Sequence, residues 1–282
     1  AILSTRRIEG RNDRLVTIAI LPMMSCAGRL PIYMMFVSAL FPSHLQATVL
    51  FGIYAAGILL ALLCARLLKN TFFKTVQRDA PHRLKRLRIP SLRKVGLLMW
   101  SRAFMYVRKA GTFILGASII LWFLNTYPRP EEGNAENAAA AMEHSYAGQI
   151  GHWMEPVTRV AGFDWKVNSA LLGAFAAKEI FVTQMGILYA VQDGDSGPEA
   201  QQTLNTRLKA SYTPLQGISI MIFCLIALPC IGTVTVAKRE AGTWWFALAQ
   251  FAGLTVMGFV TATVVYPVSY THLRAHETVL DL

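Results

Sequence analysis

Long apolar runs separated by polar stretches organise this chain. Residues 15–41 are apolar but carry Pro22, Gly28, Arg29 and Pro31. A proline inside a helix removes a hydrogen bond and clashes with the preceding turn. The pattern therefore predicts two half-helices joined by a break at residues 24–31. Residues 46–68 are an uninterrupted apolar run of 23 residues, and a bilayer core needs about 20. Residues 69–90 are polar and basic. Over residues 91–106, Leu92, Val95, Met99 and Trp100 alternate with Arg93, Lys94 and Arg102, which suits a helix lying in the membrane interface. A third apolar run, 107–124, ends at Asn125 and Pro128. The polar stretch 125–166 contains a predicted surface helix at 134–154. A fourth run spans 167–191, followed by a polar linker at 192–214. A fifth, 215–237, is interrupted by Pro229 and Cys230. The sixth, 244–267, opens on Trp244 and Trp245, placed as interfacial anchors. The predicted fold class is all-α: a polytopic transmembrane helical bundle with broken or re-entrant helices and an interfacial amphipathic helix.

Composition agrees with that pattern. Of 282 residues, 54% are hydrophobic and 15% charged, where soluble domains carry about 25% charged residues. The net charge of +11 is concentrated: 13 of 27 Lys and Arg fall between Arg66 and Lys109, with Asp79 the only acid there. A basic cluster beside membrane spans marks the cytoplasmic side. Nucleic-acid binding, the competing source of basic charge, lacks any recognition motif. The stretch 125–166 carries Glu131, Glu132, Glu136, Glu143, Glu155 and Asp164 against Arg129, Arg159 and Lys166, so 66–109 is placed inside and 125–166 outside. Lys238 and Arg239 favour an inner turn, yet counting six spans puts them outside; a re-entrant fourth run would reconcile the two. The cysteines, Cys26, Cys64, Cys224 and Cys230, form no CxxC pair, which argues against a disulfide framework or structural zinc.

Three motifs carry candidate chemistry. In LPMMSCAGRLP (residues 21–31), two prolines bracket a break that holds Cys26. Unwound backbone survives in lipid only where it is buried in protein or lines a cavity, and transporters use such breaks to present free carbonyls to cations. Cys26 adds a soft thiolate and Met23 and Met24 thioethers, with Ser25 beside them; soft ligands suit late first-row metals. The competing reading is a small buried hydrophobe, the usual role of free cysteine. LPC (residues 228–230) repeats the pattern at Cys230. In AAKE (residues 176–179), Lys178 and Glu179 sit inside an apolar run, and an intramembrane charge marks a functional site by default. Glu179 could be a hard ligand or a proton acceptor, and Lys178 could pair with it structurally. Cys64 and Cys224, away from breaks, read as packing residues. His144 and His152, eight apart, read as surface histidines, with metal capture at the outer mouth as the lesser alternative. No phosphate loop, dinucleotide fingerprint, catalytic triad or zincin motif is present.

Four ordered blocks resemble the membrane domain of ferrous iron transport protein B: residues 6–33, SYAGQIGHWMEPVTRVAGFDWK (145–166), GAFAAKEIFVTQMGILY (173–189) and LPCIGTVTVAKREAGTWWFAL (228–248). The resemblance implies Fe²⁺ uptake across the bacterial inner (cytoplasmic) membrane by a multi-pass permease, with Fe²⁺ as transported substrate and no permanently bound cofactor. It carries the family's membrane cysteines onto Cys26 and Cys230 and its intramembrane acid onto Glu179. Met24, Ser25 and Lys178 are secondary candidates. The implied partners are membrane lipids, an N-terminal G domain, a small cytoplasmic accessory protein and further copies of the chain, but no nucleic acid. The G domain, through which GTP would act, is expected to be absent here, so no enzyme activity is assigned. The implied organisation is 1–68 as the end of a first gate region with a central span, 69–109 as a basic cytoplasmic loop and interfacial helix, and 110–267 as a second gate-like region. Residues 268–282, VSYTHLRAHETVLDL, depart from the family and read as an assembly or frame-shift scar. Rival hypotheses are a gate-type carrier of nucleosides or other organic solutes, and a non-conducting membrane scaffold or sensor that docks a partner through Arg83, Lys85, Arg86 and Arg88.

Overall fold

The computed structural model describes residues 5, 8, 10–24, 26–71, 91–128, 138–189, 198–227 and 229–280. The basic residues 72–90, Ser25 and Leu228 therefore lie outside the described residues. Among those described, every regular element is helical: α1 (Arg11–Ile20), α2 (Leu30–Leu40), α3 (Ser43–Thr71), α4 (Leu92–Thr126), α5 (Ala138–His144), α6 (Tyr146–Thr158), α7 (Trp165–Ala176), α8 (Lys178–Leu188), α9 (Pro198–Ser211), α10 (Pro214–Ile226), α11 (Ile231–Ala241) and α12 (Trp244–Leu280), with 3₁₀ turns at Leu21–Met23, Ala27–Arg29 and Arg159–Ala161.

Four stretches are long and apolar enough to cross a membrane: Asn12–Leu40, Ser43–Thr71, Pro214–Ala241 and Trp244–Tyr266. Leu59, Leu62 and Leu63 of α3, and Val256, Val260 and Val264 of α12, are exposed, as apolar side chains are where lipid is the solvent. The interior is built from Ile32, Tyr33, Phe36 and Val37 of α2, Ala170 and Ala174 of α7, Phe181 and Met185 of α8, and Ile220, Met221 and Cys224 of α10. Small residues permit close helix approach in a membrane: Gly217 faces Leu40, Gly57 faces Leu225, and Gly258 faces Ala227.

Helix starts follow their caps. Thr213 and Gln216 form a reciprocal capping box before α10, with Pro214 in its first turn, and Asp164 accepts from the Val167 backbone N–H at 2.9 Å to open α7. α11 stops at Gly242, whose φ of 83° is left-handed, a conformation that glycine adopts without steric cost.

Three features differ from the sequence pattern. The amphipathic stretch at 91–106 and the third apolar run are one continuous helix, α4. The outer helix at 134–154 is two helices that meet at Ser145, so His144 ends α5 while His152 lies in α6; their spacing no longer sets a shared face. The linker 192–214 contains α9, which packs on α2 by burying Leu204 and Leu208.

The fourth run does not cross as one helix. α7 and α8 fold back on each other as a hairpin with its tip at Ala177. Gly173 permits the approach: a methyl group there would overlap the Gln184 amide and lie 2.8 Å from Ile180 Cγ2. With its amide nitrogen turned toward α7, Gln184 donates to the Ser169 carbonyl at 3.1 Å and the Ala170 carbonyl at 3.3 Å. A hairpin returns the chain to the side it came from, so α10 starts where α7 starts. α2 packs on α10 and α1 on α11, so the two broken spans run antiparallel. The end of α11, with Lys238 and Arg239, then shares a side with the Asp13–Lys69 ion pair (3.8 Å), and the conflict over Lys238 and Arg239 is resolved.

Candidate functional site

Three helix breaks meet at one junction: residues 21–29 between α1 and α2, Ala177 at the hairpin tip, and residues 227–230 between α10 and α11. Gly28 seats the hairpin tip against the first break. A methyl group at Gly28 would lie 2.8 Å from Glu179 Oε1 and 3.6 Å from Lys178 Cβ. Lys178 Nζ, on a residue only 5% exposed, donates to the Ala227 carbonyl at 3.4 Å and ties the tip to the third break. The Lys178 ammonium also lies within electrostatic reach of Cys224, Arg29, Cys230 and Cys26. No ion pair joins Lys178 to Glu179 among the described residues, so their adjacency in sequence is not a structural salt bridge.

The backbone freed by each break finds side-chain partners. Pro22 has no N–H, so the carbonyl four residues back, on Ile18, loses its helical donor. Gln250 Nε2 of α12 donates to that carbonyl at 2.8 Å and to the Ala19 carbonyl at 3.2 Å. Arg29 is 2% exposed and turns its guanidinium back on the end of α1. It donates to the carbonyls of Pro22 (2.6 Å), Met23 (3.4 Å) and Met24 (3.5 Å). The sequence pattern predicts free carbonyls at this break; Arg29 occupies three of them.

Cys26 is exposed and precedes the second 3₁₀ turn in extended backbone. Met24 is exposed, and Ser25 is outside the described residues. Cys230 is half-buried ahead of α11, its Sγ 3.2 Å from Thr233 Oγ1. Glu179 is exposed in the first turn of α8, where a helix N-terminus favours negative charge. Cys26, Glu179 and Cys230 thus lie on the three breaks that meet, although among the described residues no group of three or more His, Cys, Asp or Glu side chains is arranged to hold a metal ion. Cys224, fully buried in the last turn of α10, adds a third thiol near Lys178. Cys64 sits apart, 3.7 Å from the Met257 sulfur.

Sequence reasoning named Arg29 without a role, passed over Gln250, and read Cys224 as a packing residue, as its full burial bears out. A signal existed for the first two: a single guanidinium between two prolines, and a lone amide in the sixth apolar run.

A second polar cluster lies at the α7 start. The Tyr212 hydroxyl contacts both Asp164 oxygens at 3.0 and 2.9 Å, Arg207 donates to the Tyr189 carbonyl, and Lys166 Nζ lies 4.4 Å from the Tyr189 ring centre. Burial, then the Asp164 charge, pushes the Tyr212 hydroxyl well above the usual tyrosine range. His152 stacks on Trp165 and faces Glu143 and Glu155, each at 3.5 Å.

Comparison with known proteins gives two family matches. A family described as nucleoside recognition matches residues 107–244, and one described as ferrous iron transport protein B C terminus matches residues 50–102. A protein of Porphyromonas gingivalis named Fe(2+) transport protein A/Fe(2+) transporter FeoB fusion protein is 35% identical over 94% of this chain and 36% of its own length. Fe(2+) transporter FeoB of Campylobacter jejuni is 33% identical over 100% of this chain and 45% of its own. Fe(2+) transporter FeoB of Methanocaldococcus jannaschii is 35% identical over 94% of this chain and 38% of its own. The chain spans less than half the length of these relatives. No solved structure matches it.

Proposed function

Since this chain belongs to the ferrous iron transport protein B family, matching its C-terminal part, we propose that it forms the membrane-permease portion of an Fe²⁺ uptake transporter in the bacterial inner membrane. One observation carries this assignment: the re-entrant tip bearing Lys178 and Glu179 docks between the breaks of two antiparallel spans, each break carrying a cysteine. In our reading Fe²⁺ exchanges water for the thiols of Cys26 and Cys230 and the Glu179 carboxylate as it passes the junction, with Met24 and Ser25 beside the route. Sulfur plus one carboxylate suits Fe²⁺, and would also admit Mn²⁺ or Zn²⁺. We assign this chain no reaction. GTP would act through a G domain in the complete transporter, and the fusion named for the Porphyromonas relative supports a small accessory protein as partner.

The nucleoside-recognition match favours a second reading, carriage of a nucleoside. A base and ribose require several amide and hydroxyl partners, whereas at the described junction the Gln250 amide donates to the Ile18 and Ala19 carbonyls and the Thr233 hydroxyl lies on Cys230, beside thiols, a carboxylate and two basic side chains. The curated relatives cited above are also named as Fe(2+) transporters.

The test is radiolabelled Fe²⁺ uptake under reducing conditions by the complete transporter carrying Cys26→Ser, Cys230→Ser or Glu179→Gln. Each is expected to lower uptake at least tenfold at matched expression, with no competition by nucleosides. Wild-type uptake in all three variants would remove this route, and competition by nucleosides would favour the second reading.

A further inference from the structure

The junction offers a cation two kinds of ligand, and the chain has already taken one of them. Backbone carbonyls are the oxygens that replace water around alkali cations in pores and transporters. At the first break, the carbonyls of Pro22, Met23 and Met24 are held by Arg29. At the third break, Pro229 has no N–H to offer the Leu225 carbonyl, so the end of α10 loses a helical donor as the end of α1 does. There Lys178 Nζ sits on the Ala227 carbonyl. Both carbonyl-rich helix ends are therefore occupied by a tethered side-chain cation. The thiols are not: Cys26 is exposed and Cys230 half-buried. Alkali cations gain little from sulfur, whereas late first-row divalent ions gain much.

We propose that Lys178 is a selectivity residue. Its ammonium occupies the carbonyl seat at the α10–α11 break, excludes Na⁺ and K⁺ from the junction, and leaves ligands that only a soft divalent cation can use. The two cations differ in their attachment. Arg29 makes three hydrogen bonds within its own break and is part of its architecture. Among the described residues Lys178 makes one, at 3.4 Å, to a carbonyl 49 positions away. Lys178 also starts α8, where positive charge is disfavoured, and reaches the C-terminal end of α10, where it is favoured. Its placement follows from the seat it fills.

This inference rests on the permease reading, and the experiment separates the two. The complete transporter is reconstituted into K⁺-loaded vesicles as wild type, Lys178→Met and Lys178→Arg. K⁺ efflux is followed with a K⁺ electrode, and Fe²⁺ influx with a trapped metal-quenched dye. Lys178→Met is expected to raise K⁺ efflux at least tenfold over wild type while still admitting Fe²⁺; Lys178→Arg is expected to stay K⁺-tight. In wild type, 100 mM external K⁺ is expected to leave Fe²⁺ influx unchanged, a reading that needs no variant to fold. K⁺-tight Lys178→Met vesicles that carry Fe²⁺, equal leak in both variants, or K⁺ competition with Fe²⁺ in wild type would each overturn the proposal. Absence of Fe²⁺ influx in wild type would overturn the permease reading itself.

Discussion

Gln250 repairs a defect 232 positions away, and the repair can be measured. Pro22 strips the Ile18 carbonyl of its helical donor, and Gln250 Nε2 supplies another at 2.8 Å, with the Ala19 carbonyl at 3.2 Å. The residue is 9% exposed, so water offers little substitute. Gln250→Met keeps the length of the side chain and deletes the donor. A side-chain hydrogen bond between membrane helices contributes about 0.6 kcal/mol on average and up to about 1.7, and a buried acceptor left unpaired costs about 1–3 kcal/mol. Two affected carbonyls therefore place the loss at about 1–3 kcal/mol. Pro22→Ala restores an N–H four residues after Ile18, so the amide becomes partly redundant. In a double-mutant cycle, Gln250→Met should cost about 1 kcal/mol less in the Pro22→Ala background than in wild type. The packing lost with Pro22 cancels in such a cycle. The measurement is SDS-driven unfolding in mixed micelles, read by circular dichroism. Costs that add to within about 0.3 kcal/mol would refute the claim that Gln250 serves the carbonyl freed by Pro22.

Three further outcomes follow from the same geometry. At Gly28 a methyl group meets the flexible end of Glu179 at 2.8 Å; Gly28→Ala should leave the unfolding midpoint almost unchanged yet lower Fe²⁺ uptake several-fold, and equal uptake would detach Glu179 from the route. At Gly173 the added methyl overlaps Gln184 across the hairpin, so Gly173→Ala should destabilise by about 1–3 kcal/mol, the usual cost of overpacking, in the same micelle assay. Tyr212 holds its proton in the fold because burial and Asp164 raise its affinity for it, whereas an unfolded tyrosine releases its proton near about pH 10. The stability it contributes is full below that pH and falls as pH rises further, so Tyr212→Phe should flatten the alkaline limb of a stability–pH profile.

Both proline breaks were legible because a missing N–H is a property of the residue itself: Pro22 and Pro229 stand at the two interruptions, and Pro31 takes the first turn of α2, where no N–H is needed. The charges of AAKE were equally visible against an apolar run. The turn at Ala177 was less so. It has no proline or glycine at the break, and it is held by contacts from outside: Gly28 against Glu179, Ala227 against Lys178, and Gln184 against the Ser169 and Ala170 carbonyls. Only the misplaced charges Lys238 and Arg239 hinted that the fourth run turns back. α9 was hidden for a related reason. Its buried positions, Leu204 and Leu208, are too few to raise its hydropathy, and its register is fixed by the face of α2 that it covers. Arg29 was visible as a residue and illegible as a cap, because its partners depend on how the chain folds back at residues 22–24.

The antiparallel arrangement also determines what field a cation meets at the junction. Each break brings together one helix C-terminus and one N-terminus: α1 with α2, α7 with α8, and α10 with α11. A helix end carries about half an elementary charge, negative at the C-terminus and positive at the N-terminus. Three ends of each sign nearly cancel, so the balance passes to the fixed charges. Arg29 lies on the C-terminal end of α1 and Lys178 on that of α10, while Glu179 lies in the first turn of α8. Each is on the helix end of opposite sign, and two basic side chains stand there against one acidic one. A junction with that excess of basic groups disfavours a cation that brings no ligand preference of its own. On the proposed route, passage then depends on bonds the cation can form with sulfur and with Glu179. On the permease reading proposed above, selectivity for a thiol-binding metal follows from how the helix ends and fixed charges are distributed, and not from the cysteines alone.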